Sequence, residues 1–219
     1  LWQFFFEQSF DANDIENYGV NLQKLIPALQ KFRNSSPLYL QVGFWNVSGN
    51  RVLSSDAGML VPDYLNTAER RAILESAKTF KTSTLTYKSP VSAVLYSDRL
   101  RGYVVTVHKA FYDDFGSLLG SLMIDLDFSQ LTGLVNPIVD DEGERGFTFL
   151  VDRNGETIFH PHYEPYSTRF TQYRDPVMRE FIIYTTLGQS GLEMYTDTES
   201  QAKQMAAYAP VQTAGWTLV

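Results

Sequence analysis

The chain has 219 residues, of which 44% are hydrophobic and 14% aromatic. That composition is enough for the packed core of one large or two small domains, and it excludes a wholly disordered chain. A net charge of −7 without a basic cluster argues against a nucleic-acid-binding surface. Cysteine is absent, which excludes disulfides, thiolate metal sites and cysteine nucleophiles.

The first predicted element is a long helix. Apolar residues from Ile15 to Phe32 follow the 3-4-3-4-3 spacing of one helical seam, and Asn34–Pro37 ends it. Such a seam packs on its own domain or, alternatively, forms a dimeric coiled coil. No stretch reaches the roughly 20 apolar residues needed to cross a bilayer. The very apolar opening, Leu1–Phe6, is typical either of a helix end packed on a core or of a segment beside a membrane helix.

From residue 38 the periodicity changes to that of strands. Tyr39–Val47 and Arg51–Ser54 are predicted to form a hairpin around the turn Ser48-Gly49-Asn50. A helix capped by Asn66 or Thr67 follows and runs to about Lys78. The remaining elements of this half are three strands and a short helix, at 82–88, 102–112, 117–128 and 129–135.

The second half repeats the order of the first half. An acidic run, Asp140–Glu144, is typical of a linker, and a hairpin, a helix and three strands follow it, at 146–160, 175–187, 191–196, 203–211 and 215–219. Hairpin connections imply antiparallel sheets, and a covering helix on each makes the class α+β. We therefore predict an N-terminal helical segment followed by two PAS-like modules, at 1–37, 38–137 and 138–219.

Several strings carry a family resemblance. Gly146–Gly155, closing with His160-Pro161, resembles the first hairpin of a Cache module. Ala207–Val211 followed by Gly215–Val219 is similar to its last strand pair, and Val104–Lys109 to the end of the membrane-distal module. With the long leading helix, the whole chain resembles a double Cache domain. Such domains are the extracytoplasmic ligand-binding parts of bacterial chemoreceptors, sensor histidine kinases and diguanylate cyclases.

The resemblance implies a ligand pocket in the membrane-distal module, between the sheet and its covering helix. In amino-acid-binding members an Asp holds the ligand ammonium and an Arg its carboxylate; Asp125 and Arg71 match these positions. Ile73-Leu74 replaces the aromatic pair that follows the Arg, and Tyr64 is the nearest tyrosine to the family's position before it. Replacing Asp125 by Ala is expected to abolish ligand binding and leave the fold intact. Weaker candidates for the pocket wall are Tyr87 and Tyr96.

Spacing gives a second reason to consider Asp125. His108 lies eight residues before Gly116 and Asp125 lies nine after it, so an antiparallel hairpin makes them approximate cross-strand neighbours. A His beside a carboxylate has a raised pKa and could tune a pocket to pH or to an anionic group. Alternatively, the pair faces solvent or a bulge separates it.

No catalytic arrangement is recognisable, because the carboxylates are scattered and His160-Pro161-His162 lacks a third metal ligand. We predict a non-enzymatic sensor without metal or cofactor, which binds an amine, an amino-acid-like molecule or a carboxylate. We expect it to form a homodimer through the N-terminal helix and to lie on the periplasmic side of the inner membrane, with transmembrane helices flanking this chain. The alternative is an interaction module driven by a partner protein, with no small-molecule ligand; the altered Arg motif favours it.

Overall fold

The fold is taken from a computed structural model of the chain. It describes residues 25–56, 61–78, 91–112, 115–133, 146–152, 154–161, 163–166, 176–196, 201–211 and 214–219. Residues 25–33 are helical (α1), and the rest of the predicted N-terminal helix, with most of its dimer seam, lies outside the described residues. So do the predicted strand at 82–88 and the predicted module boundary at 137/138. Among the described residues, no helix has the length and apolar character to cross a membrane.

The first half folds into a five-stranded antiparallel sheet. Its strands are β1 Tyr39–Asn46, β2 Arg51–Ser54, β3 Leu95–Ser97, β4 Gly102–Tyr112 and β5 Leu118–Asp127. Their order across the sheet is β2-β1-β5-β4-β3, so the central strand β5 pairs with both β1 and β4. The sequence prediction missed β3 and placed these residues in a loop, because three residues beside a polar turn leave no periodic signal.

Two helices accompany the first sheet, α2 at Thr67–Lys78 and α3 at Phe128–Gly133. Asn66 caps α2: its Oδ1 accepts hydrogen bonds from the Ala68 and Glu69 N–H groups at 2.9 and 3.0 Å. Glu69 returns the interaction by accepting from the Asn66 N–H at 2.7 Å, which completes a capping box. This cap fixes the start of α2 and therefore which of its residues face the sheet.

The second half repeats the same topology. Its strands are β6 Leu150–Val151, β7 Thr157–Phe159, β8 Gly191–Thr196, β9 Lys203–Val211 and β10 Trp216–Leu218, with helix α4 at Pro176–Thr186. The order β7-β6-β10-β9-β8 is that of the first sheet shifted by five strands. Two antiparallel sheets with few helices confirm the predicted α+β class, whereas the exact module boundaries stay predictions.

The two faces of the first sheet have different partners. One face carries Val104 and Met123 and packs against Ile73 and Leu74 of α2 around Trp45. The opposite face carries Val105 and packs with Val94 and Phe128. That second cluster also contains Leu150 and Ile158 of the second sheet, so one hydrophobic core joins the two halves.

Tyr166 adds a polar contact to this junction. Its hydroxyl accepts a hydrogen bond from the buried Val94 N–H at 2.7 Å, and burial raises its pKa to about 12. Its backbone has φ 59°, a left-handed conformation that a bulky residue adopts only when its surroundings hold it there. The N–H of Tyr166 donates to the Thr157 carbonyl at 2.7 Å, which anchors the strained residue to β7.

Candidate ligand-binding site

A fully buried ion pair lies between α2 and the first sheet. The Arg70 guanidinium donates to both carboxylate oxygens of Asp125, Nη1 to Oδ1 at 2.8 Å and Nη2 to Oδ2 at 2.5 Å. Thr106, the cross-strand partner of Asp125, donates its hydroxyl to the same Oδ1 at 2.7 Å. Both side chains of the pair have no exposed surface. The bidentate geometry and the third donor offset the cost of taking two charges out of water.

Asp63 extends this ion pair toward the surface. Arg70 Nε donates to Asp63 Oδ2 at 3.2 Å, and Nη2 reaches Oδ1. The Trp45 indole N–H donates to Oδ2 at 2.7 Å, while the Arg70 guanidinium stacks over the Trp45 ring, 4.1 Å from its centroid. Asp63 is 21% exposed, so it links the buried pair to solvent.

The electrostatics keep Asp63 and Arg70 charged. Burial alone would raise the pKa of the Asp63 carboxyl, but the hydrogen bonds and charge of Arg70, with the Trp45 N–H, hold that pKa below its ordinary value. Burial alone would lower the pKa of Arg70, but Asp125 and Asp63 raise it. The network therefore presents a carboxylate that is ionised at neutral pH and held in one place.

A cavity of about 510 Å³ lies next to the network, at the end where Asp63 is exposed. That volume is within the range of roughly 300–1,000 Å³ typical of small-molecule sites. Its charged and aromatic lining includes Arg51, Asp63, Tyr64, Tyr96, Asp98 and Arg99. The Arg99 guanidinium lies over the Tyr64 ring, 3.9 Å from its centroid. Burial raises the pKa of the Tyr64 phenol, and the charge of Arg99 opposes that effect.

Charges of both signs lie on the cavity wall. Arg51 and Arg99 both approach the carboxylate of Asp56, at 3.9 and 3.0 Å, and the lining also includes the carboxylates of Glu69 and Asp98. At the buried end, the carboxylates of Asp63 and Asp125 share one guanidinium. A ligand with an ammonium group and a carboxylate would match this arrangement.

Tyr64 and Tyr96 line the cavity, and their contact with a ligand stays a prediction. Asp125 does not reach it, because its side chain is fully buried beneath Arg70. Arg71 is exposed, so the guanidinium that contacts Asp125 belongs to the preceding residue, Arg70.

Helical spacing could have identified Arg70. The buried residues of α2 are Arg70, Ile73 and Leu74, the i, i+3, i+4 pattern of one helix face. The resemblance to the family pointed instead to Arg71, the next residue, which lies outside that face.

His108 shares the buried face with Asp125 but is not opposite it. In the register of β4 and β5, Thr106 pairs with Asp125 and His108 with Met123, because the hairpin turn is centred one residue earlier than the count from Gly116 assumed. The expectation of a raised pKa was wrong: burial lowers the pKa of His108, and its Nδ1 has no hydrogen-bond partner among the described residues. The last candidate, Tyr87, lies outside the described residues.

Comparison with known families now identifies the fold. A family model described as a Cache domain, the double Cache type, matches residues 5–219. The chain belongs to the Cache domain family. Comparison with curated proteins gives no match.

Solved structures of low sequence identity share the Cache fold. The extracellular domain of mmHK1S-Z2, named as a histidine kinase, aligns with a TM-score of 0.60 at 11% identity, over 90% of this chain and 80% of that one. The ligand-binding domain of the Pseudomonas aeruginosa PAO1 amino acid chemoreceptor PctC, in complex with GABA, gives 0.56 at 16%, over 93% and 89%. The ligand-binding domain of Mlp24 with asparagine gives 0.51 at 18%, over 95% and 82%.

Within the described part of this Cache domain, no group of three or more His, Asp or Glu residues is placed to hold a metal ion. The site therefore consists of a buried ion network, an adjoining cavity and two tyrosines on the cavity wall.

Proposed function

We propose that this Cache domain is the extracytoplasmic sensor of a bacterial membrane receptor, that it binds a small molecule in its first module and that it is not itself an enzyme. The observation that carries the proposal is the 510 Å³ cavity whose wall includes the exposed edge of a buried, charged network. The structural relatives are extracellular and ligand-binding domains, which supports the same location for this chain.

The proposed ligand carries an ammonium group, and an amino-acid-like molecule fits best. Asp63 is ionised, partly exposed and fixed by Arg70 and Trp45, so it can accept hydrogen bonds from an ammonium without rearranging. Arg99, which also lines the cavity, can receive a carboxylate. Asp125 acts indirectly in this proposal, by holding the guanidinium that positions Asp63.

Signal transmission requires that the ligand favours one arrangement of the domain over another, because equal affinity for both shifts nothing. The core shared by Phe128, Leu150 and Ile158 supports a mechanical connection from the first module to the second. Dimerisation through the N-terminal helix, and transmembrane helices on either side of this chain, complete the proposed receptor.

Differential scanning fluorimetry of the 219-residue chain tests the ligand proposal. The panel contains amino acids, simple amines and organic acids at neutral pH. A ligand at 100 times its Kd stabilises the fold by about 2.7 kcal/mol, which raises the melting temperature by several degrees. The shift should disappear in Asp63→Asn and persist in Asp127→Asn, a matched change of an aspartate outside the cavity lining. A shift retained in full by Asp63→Asn would contradict the proposed site.

One observation favours the second candidate, an interaction module driven by a partner protein. Leu192, Met194 and Met205 are 62–65% exposed on the neighbouring strands β8 and β9, where Met194 and Met205 pair directly. Exposed apolar strips of this kind are typical of protein interfaces. No stabilisation by any class of small molecule in the panel would favour this candidate.

A further inference from the structure

A second cavity, of about 430 Å³, lies between the two modules. Its wall combines residues from both halves of the chain. The first half contributes the end of the first sheet and α3, and the second half contributes β7 and the residues that follow it. Its aromatic and acidic side chains are Tyr103, Phe128, Phe159, His160, Tyr163 and Glu164.

Aromatic rings dominate this wall. The rings of His160 and Tyr163 lie 4.4 Å apart between centroids, and the two residues form an isolated β-bridge. Tyr163 is 48% exposed although it is large and aromatic, so the core does not account for its position. The faces of such rings carry partial negative charge and attract cations.

The wall also contains an acidic side chain. Among the described residues that line it, Glu164 is the only aspartate, glutamate, lysine or arginine. Pro161 and Pro165 enclose the segment that carries Tyr163 and Glu164, and each restricts the backbone at its own position. A ring-lined space with one carboxylate and a stiff rim has the features that bind an organic cation.

We propose that the cleft between the modules is a second ligand site, for a small organic cation such as a quaternary ammonium. It goes beyond the proposed sensor site, because none of its lining residues belongs to the first cavity. Tyr103 and Phe128 lie on the side of the first sheet that packs against the second module, so a ligand here contacts both modules at once. Binding would therefore stabilise one relative arrangement of the two.

Isothermal titration calorimetry with choline as the probe tests this site. The neutral isostere 3,3-dimethyl-1-butanol has the same shape without the charge, and it should bind about five- to thirty-fold more weakly, the range expected for cation–π contacts. Glu164→Gln and Tyr163→Leu should each weaken choline binding by a similar factor. Glu193→Gln, an exposed glutamate on β8, is the matched control and should leave it unchanged.

Three results would overturn the proposal. Equal binding of choline and its isostere, or no binding of choline at millimolar concentration, would show that the cleft does not select cations. Choline binding that Tyr64→Leu abolishes and Glu164→Gln leaves intact would place the cation in the first cavity instead. Because the amino-acid panel with Asp63→Asn reports on the first cavity alone, failure of either proposal is recognisable without the other.

Discussion

Replacing Asp125 by Ala should unfold the chain at markedly lower denaturant concentration. The change removes the carboxylate that accepts two hydrogen bonds from Arg70 and one from Thr106. Arg70 Nη1 would then face only the sulfur of Met123, 3.7 Å away and a weak acceptor. Removing one partner of a buried ion pair costs about 3–5 kcal/mol. Because Arg70 keeps Asp63, we expect the lower end, about 3 kcal/mol, or a fall of about 6–12 °C in melting temperature.

Urea denaturation followed by far-UV circular dichroism and tryptophan fluorescence measures this loss. Asp127→Ala is the control on the same strand: Asp127 caps α3 by accepting from the Ser129 N–H at 2.9 Å, so its loss should cost about 1 kcal/mol. A double variant, Arg70→Met with Asp125→Leu, should recover part of the stability, because the partly exposed Asp63 is then the one carboxylate of the network without its guanidinium partner.

The refuting result is an Asp125→Ala chain that is as stable as Asp127→Ala. Were such a chain also unable to bind a ligand, Asp125 would be a direct ligand group, as the family resemblance implied, and not the support of Arg70. The structure instead predicts that Asp125→Ala causes a large loss of stability, and that weaker ligand binding is a consequence of that loss.

Three further predictions concern protonation and the junction. Because the folded-state pKa of Asp63 is lowered, its charge stabilises the fold above the unfolded pKa of about 3.9, and this contribution is lost as the pH falls through the lower folded value. Urea midpoints of Asp63→Asn should therefore change less between pH 5 and 3 than those of the parent chain. Burial lowers the pKa of His108 in the folded chain. As the pH falls below about 6.5, His108 is therefore protonated in the unfolded chain before it is protonated in the folded chain, which lowers the free energy of unfolding. The stability lost between pH 7.5 and 5.5 should be smaller in His108→Leu. Tyr166→Phe leaves the buried Val94 N–H without an acceptor, which should cost about 1–3 kcal/mol and speed hydrogen exchange at that amide.

The sequence predicts most of this fold because its signals are local. The hairpin of β1 and β2 is marked by alternating residues around a turn at Gly49, whose φ of 77° favours glycine. The start of α2 is marked by the Asn66 cap. Strand β3 was not predicted, because it is defined by its hydrogen bonds to β4 and such pairing leaves no local pattern in the sequence.

The candidate site depends on contacts that no local pattern contains. Arg70 and Asp125 are 55 residues apart in sequence, and Asp63 lies in the segment between β2 and α2 that has no periodicity. The family resemblance located Asp125 correctly on β5 but could not show that another side chain already occupies it. Only the register of α2 against the sheet decides whether Arg70 or Arg71 turns inward.

The contact between Arg70 and Asp125 gives the proposed sensor mechanism its physical basis. A ligand ammonium that binds Asp63 competes with Arg70 for the same carboxylate, so binding alters how strongly Arg70 is shared between Asp63 and Asp125. Asp125 lies on β5, and β5 leads directly into Phe128. The ring of Phe128 packs edge to face against the ring of Trp216 in the second sheet, with 6.1 Å between the ring centroids. The ion network and the junction therefore meet at the same end of one strand. A ligand that did not reach Asp63 could fill the cavity and still leave the second module unaffected, since only an unequal affinity for two arrangements produces a signal.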